Sequence, residues 1–174
     1  MKTNNQLLFE NLDDTHYTTA AAAAKEYNIF KHSFNDALGY DEASDGSLAL
    51  QKGHEWLPLA YELPTAIVLK NNGHAVVLIS ELGEGKHADA WVDDILSEFK
   101  QVRKMTIRAI KEDFYEARKK GAKRIVLDVK EASQRDTLFQ LLHRIANNPM
   151  VNELQDVFII VNGQLERVVL KDLK

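Results

Sequence analysis

The chain has 174 residues, 45% of them hydrophobic, enough for one ordinary domain with a real core. It contains no cysteine, which excludes disulfides, thiolate metal sites and cysteine nucleophiles. Its net charge of −4 does not by itself mark a nucleic-acid binder, and no apolar run reaches the 18 or so residues of a membrane span, so the chain as given reads as soluble.

Residues 1–45 read as an accessory helical segment or linker, and 46–174 as the main domain. Thr18 to Asn28 combines an N-cap residue with strong helix formers and predicts a helix. Phe30, Phe34 and Leu38 give one face of a second helix that closes at Gly39. Ser47 to Gln51 predicts a short strand. Glu62 to Gly73 predicts a helix with Pro64 near its first turn, and Ala75 to Ser80 a buried strand. Residues 81–87 form a glycine-bearing loop.

Next comes a hairpin, with strands at about 88–92 and 95–102 and a turn at Asp93-Asp94. Side chains alternate along a strand, so Glu98 and Lys100 share a face and Phe99 enters the other layer. A helix is expected over 106–120, ended by Gly121, with Ile107, Ile110, Phe114 and Ala117 inward. Arg124 to Val129 is apolar on both faces, as in a central parallel strand. A helix over 133–147 buries Leu138, Leu141, Leu142 and Ile145. A hairpin of 157–161 and 165–170 turns at Asn162-Gly163. This order gives an α/β fold with a mixed central sheet flanked by helices.

Two features carry chemistry. Asp89, Glu98 and Lys100 offer two carboxylates and an ammonium near one sheet edge, the combination that holds a divalent ion against a phosphodiester. The same residues also fit an ordinary ion cluster on an amphipathic strand. From Lys100 to Arg124 the chain places ten basic residues against three acidic ones. Such a stripe suits a phosphate backbone or, equally, a solvated helix face. Gln101, Arg103, Lys104, Arg108 and Lys111 are the candidate nucleic-acid contacts. His87, two residues before Asp89, is a candidate base or substrate contact. Lys104 or Lys119 is the alternative if the lysine role has moved onto the helix, and Asp128 is a candidate supporting carboxylate on the next strand.

With Glu62, Ala66 and Leu69, then Gly73-His-Ala-Val-Val-Leu, Ala88-Asp89, Glu98-Phe-Lys100 and Ile125-Val-Leu-Asp128, the chain resembles the PD-(D/E)XK nuclease superfamily. More narrowly, it resembles the C-terminal tRNA-nuclease domain of contact-dependent growth inhibition toxins. The resemblance covers about two-thirds of the chain and leaves out residues 1–45. Ala88 stands where the superfamily usually has proline. The resemblance implies a restriction-endonuclease-like core and hydrolysis of phosphodiester bonds, with tRNA favoured and DNA possible. It implies Mg²⁺ or Mn²⁺ on Asp89 and Glu98, with Lys100 orienting the water and offsetting charge. Glu62 is either a further acidic residue at the metal or a first-turn glutamate favoured by the helix dipole. The Phe99 carbonyl is a further ligand. It also implies an immunity protein as partner, and action in the bacterial cytoplasm after delivery as part of a larger secreted protein. The competing expectation is a non-catalytic nucleic-acid-binding or structural module of a phage or mobile-element protein.

Overall fold

The computed structural model describes residues 17–19, 43–51, 56–79 and 87–174. The chain divides into two compact units, 1–94 and 95–174. Strand pairing joins residues on either side of position 45, as Tyr17–Thr19 pairs with Ala49–Gln51.

In the first unit, strand β1 (Tyr17–Thr19) runs antiparallel to β2 (Ser47–Gln51). Strand β2 is parallel to β3 (Ala75–Leu78), which pairs antiparallel with β4 (Ala90–Val92). Helix α1 (Trp56–Asn71) makes the β2–β3 crossover and buries Leu63, Ala66, Ile67 and Leu69. Two expectations need correction. Thr18 and Thr19 lie in a strand, not at the start of a helix, because their backbone groups are taken up by β2; the rest of that helix and the one around Phe34 fall outside the described residues. Helix α1 begins at Trp56, not Glu62. Pro58 occupies its first turn, where no backbone donor is needed, and Pro64 lies inside the helix.

The end of α1 is tied down closely. Gly46 passes so near the carbonyls of Lys70 and His74 that a β-carbon there has no room. The Ser47 N–H donates to the His74 carbonyl at 3.1 Å, and Ser44 Oγ donates to the Lys70 carbonyl at 3.0 Å. Asp93 and Asp94 both have positive φ, 50° and 65°, which aspartate tolerates in a tight turn. Asp93 is held there by its carboxylate, which accepts from Ala75 N at 2.9 Å and bonds His74 Nδ1 at 2.6 Å.

The second unit starts with β5 (Ile95–Gln101), followed by α2 (Ile107–Lys119), β6 (Arg124–Val129), α3 (Arg135–Ile145), β7 (Asp156–Val161) and β8 (Gln164–Val169). Strands β5, β6 and β7 are mutually parallel with helical crossovers, and β8 closes antiparallel on β7 through a turn at Asn162-Gly163, both with positive φ. The central strand β6 is buried almost throughout, as its doubly apolar sequence implies. Helix α3 buries Leu138, Leu141, Leu142 and Ile145 as expected. Helix α2 buries Ile110, Phe114 and Ala117, whereas Ile107 stays partly exposed. The architecture is mixed α/β with flanking helices, as the element order predicts.

Candidate functional site

Strand β5 carries a carboxylate that is almost wholly removed from water: Glu98 is 1% exposed. An ionised carboxylate in such a place needs compensating charge. It receives two ammonium groups. Lys100 Nζ, from the same face of β5, lies 3.2 Å from Glu98 Oε1, and Lys120 Nζ lies 2.6 Å from the same oxygen. Glu98 Oε2 is also buried and has no hydrogen-bond partner among the described residues.

Helix α2 delivers Lys120. Thr106 caps its N-terminus by accepting from Ala109 N at 3.2 Å, and Gly121, with φ 80°, ends it just after Lys120. Lys120 is therefore the C-cap residue, where a cation also meets the negative end of the helix dipole. Asp113, Glu116 and Lys120 follow at i, i+3, i+7 and flank the buried row Ile110, Phe114, Ala117. Glu116 uses this position to accept from Lys100 Nζ at 2.6 Å.

Charge in the cluster sets protonation. Burial lowers the Lys100 pKa, but the hydrogen bond to Glu116 and the charges of Glu98 and Glu116 outweigh it and raise it on balance. Lys100 is thus a fixed cation, not a proton acceptor. Asp113 is half-buried in the same field. Burial pushes its carboxyl up to about 6; Lys100 opposes this, while Glu116, Glu112 and Glu98 reinforce it.

Other expected residues are placed as follows. Phe99 is half-buried on β5 and points to the opposite face from Glu98, and Gln101 ends the strand. Arg103 and Lys104 are exposed, Arg108 pairs with Glu112 at 2.9 Å, and Lys111 is partly buried. In the first unit, Asp89 precedes β4 and its carbonyl accepts from Ile79 N at 2.9 Å, while His87 is exposed. Glu62 is 7% exposed and lies well inside α1, so the first-turn dipole explanation for it is overturned.

The basic stripe is not one solvated face. Lys100 and Lys120 turn in to Glu98, and Arg124, 3% exposed, pairs with buried Asp156 at 2.6 Å. Asp128 pairs in register with Gln101, hence on the sheet face opposite Glu98, so it does not support that carboxylate. Lys120 is the residue that sequence reasoning missed, having weighed its neighbour Lys119 instead. Lys119 lies over the Tyr115 ring, 5.6 Å from the centroid. The available signal was the row 113, 116, 120 beside the apolar row.

Among the described residues, no three His, Asp or Glu side chains form a group able to hold a metal ion. Glu98 Oε2 is a single buried carboxylate oxygen without a hydrogen-bond partner among those residues, the donor type that a hard divalent cation takes.

Fold and centre together define a mixed α/β domain built around a buried carboxylate held by two lysines. Residues 86–165 of the 174 match the family model described as the contact-dependent growth inhibition CdiA C-terminal domain. The chain is also similar in structure to a chain of the CdiA-CT/CdiI toxin and immunity complex from Burkholderia pseudomallei, with a TM-score of 0.50 and 19% identity, over 65% of this chain and 85% of that one. That likeness establishes the fold. No curated protein matches the chain. No helix among the described residues is long and apolar enough to cross a membrane.

Proposed function

We propose that the chain is a toxin domain acting as a metal-dependent nuclease, with tRNA its favoured substrate and an immunity protein its partner. The family match over 86–165 supports the toxin assignment, and the toxin and immunity complex of the structural neighbour supports the partner. The observation that carries the nuclease assignment is Glu98, buried, with one oxygen held by two ammonium groups and the other without a hydrogen-bond partner among the described residues. Lys100 and Lys120 place positive charge where a phosphoryl group becomes more negative during attack, and burial strengthens that effect. Glu116 fixes the Lys100 ammonium and keeps it protonated.

Mg²⁺ or Mn²⁺ fits Glu98 Oε2, and the sequence resemblance assigns the Phe99 carbonyl, Asp89 and Glu62 to the same ion. When bound, such an ion supplies Lewis-acid polarisation of the phosphate and a more acidic water. Gln101, Arg103, Lys104, Arg108, Lys111 and His87 serve as contacts to the nucleic acid. Action in the bacterial cytoplasm, after delivery within a larger secreted protein, belongs to the same proposal.

A second reading has its own observation. Lys100, Glu98, Lys120 and Glu116 form a continuous ion network, and such a network also serves a non-catalytic nucleic-acid-binding or structural module. Cleavage decides between the two. The nuclease cuts total tRNA with Mg²⁺, stops with EDTA, and loses activity in Glu98→Gln, Lys100→Ala and Lys120→Ala; parallel assays with plasmid DNA fix the substrate. A folded protein that cuts neither nucleic acid is the non-catalytic module.

A further inference from the structure

The outer surface of α2 carries a feature that the Glu98 centre does not use. Ile107, Arg108, Lys111, Glu112 and Tyr115 lie along one side of the helix, and with Met150 they line an open pocket of about 460 Å³. That volume lies within the range of small-ligand sites. Its far wall is prepared by the loop after α3, where Asn148 Oδ1 accepts from Met150 N at 3.0 Å and the Val151 N–H donates to the Asn148 carbonyl at 3.0 Å.

Tyr115 is 43% exposed, so its ring is open to a partner outside the core. Around it stand Arg108, Lys111 and Lys119, with Lys119 Nζ 5.6 Å from the ring centroid. Glu112, the acidic member of the lining, is already engaged by Arg108 Nε at 2.9 Å. The pocket therefore joins an aromatic face and apolar floor to a positively charged rim. A ring that stacks a base beside cations that take its phosphates is the recurring solution for single-stranded nucleic acid.

We propose that this pocket docks one unstacked nucleobase of a single-stranded substrate segment, with Tyr115 as its stacking platform and Arg108, Lys111 and Lys119 on the flanking phosphates. Tyr115 and Lys119 each directly precede a residue of the Glu98 cluster, Glu116 and Lys120, so the base-binding row and the charge-bearing row run along one helix about 100° apart around its axis. Resting on the nuclease reading, the pocket would hold a nucleotide flanking the bond to be cut, and so govern which unpaired segment is presented.

The test measures binding of the full chain, in EDTA, to a short fluorescein-labelled oligoadenylate and to an abasic ribose-phosphate strand of equal length. Tyr115→Ala is expected to weaken the base-bearing probe about tenfold and leave the abasic probe unchanged, with Tyr115→Phe close to wild type. Lys111→Ala is expected to weaken both probes and lower the salt slope by about one. The proposal is overturned if Tyr115→Ala binds both probes like wild type, as it would if the pocket takes a protein side chain, or loses both equally. Cleavage of total tRNA by the wild type is scored separately. Base-dependent loss in a protein that does not cleave keeps the pocket and removes the nuclease, whereas cleavage with base-indifferent Tyr115→Ala does the reverse.

Discussion

Lys120, 22 residues beyond Glu98 in the chain, places its ammonium 2.6 Å from Glu98 Oε1. Lys100, two residues from Glu98, reaches the same oxygen at 3.2 Å. The shorter contact thus comes from the helix and not from the strand motif. Lys120→Ala is expected to lower tRNA cleavage about 100-fold, the scale of losing one preorganised donor to a developing negative charge. Lys100→Ala is expected to cost a similar factor, and the double variant less than the product, because both act on one group. Lys123→Ala, at an exposed position, serves as control. Wild-type turnover in Lys120→Ala would remove it from the centre.

The metal proposal makes a prediction about stability that needs no turnover. Mg²⁺ or Mn²⁺ at 100 times its Kd is expected to stabilise the fold by about 2.7 kcal/mol. The rise in Tm should vanish in Glu98→Gln, which removes the charge of the buried carboxylate. Melting curves recorded across a metal titration check it, and an unshifted wild-type Tm counts against the site.

Asp113 predicts a pH dependence. Its carboxyl, ordinarily near 3.8, is pushed to about 6 in the folded chain. The folded state thus holds this proton more tightly than the unfolded one. The stability it contributes is complete below about pH 4 and is lost as pH rises through about 6. Asp113→Asn should therefore melt higher than wild type at pH 7.5, by about 2–4 °C, with the gap closing towards pH 4. A gap that widens on acidification contradicts the assignment.

The start of β7 offers a purely structural contrast. Asp156 is fully buried and takes Arg124 at 2.6 and 3.1 Å and Arg167 at 2.7 Å, while Arg124 also lies 4.0 Å from the centroid of the Phe158 ring. Asp156→Ala leaves the buried Arg124 charge uncompensated and is expected to cost about 3–5 kcal/mol. Arg167, 61% exposed, is screened by water, and Arg167→Ala is expected to cost less than about 1 kcal/mol. Urea denaturation of both variants checks the ranking; equal losses would sink it.

Legibility in the sequence followed the range of the forces involved. Gly121 and Asn162-Gly163 mark their turns by local backbone preference, and Leu138, Leu141, Leu142 and Ile145 mark their helix face by spacing alone. The pairing of Lys100 with Glu98 was legible for the same reason, as alternation on one strand. The start of α1 is hard to place from sequence because Pro64 suits a first turn yet lies inside the helix, while Pro58 holds the first turn. Thr18 and Thr19 carry a local helix-start pattern, whereas the strand they form depends on residues some thirty positions away. The row 113, 116, 120 marks a helix face locally, but which strand residue Lys120 meets depends on how α2 rotates against β5, and spacing along the helix does not encode that. The same rotation turns Tyr115 outward and makes the pocket.

Ile110, Phe114 and Ala117 seat α2 on the sheet, and both functional rows ride on that one rigid helix. The two rows consequently share a single mechanical adjustment. A repacked residue beneath the helix displaces Lys120 and Tyr115 together, so core variants should lose turnover and strand affinity in step. Variants that separate the two losses are altered in the rows themselves.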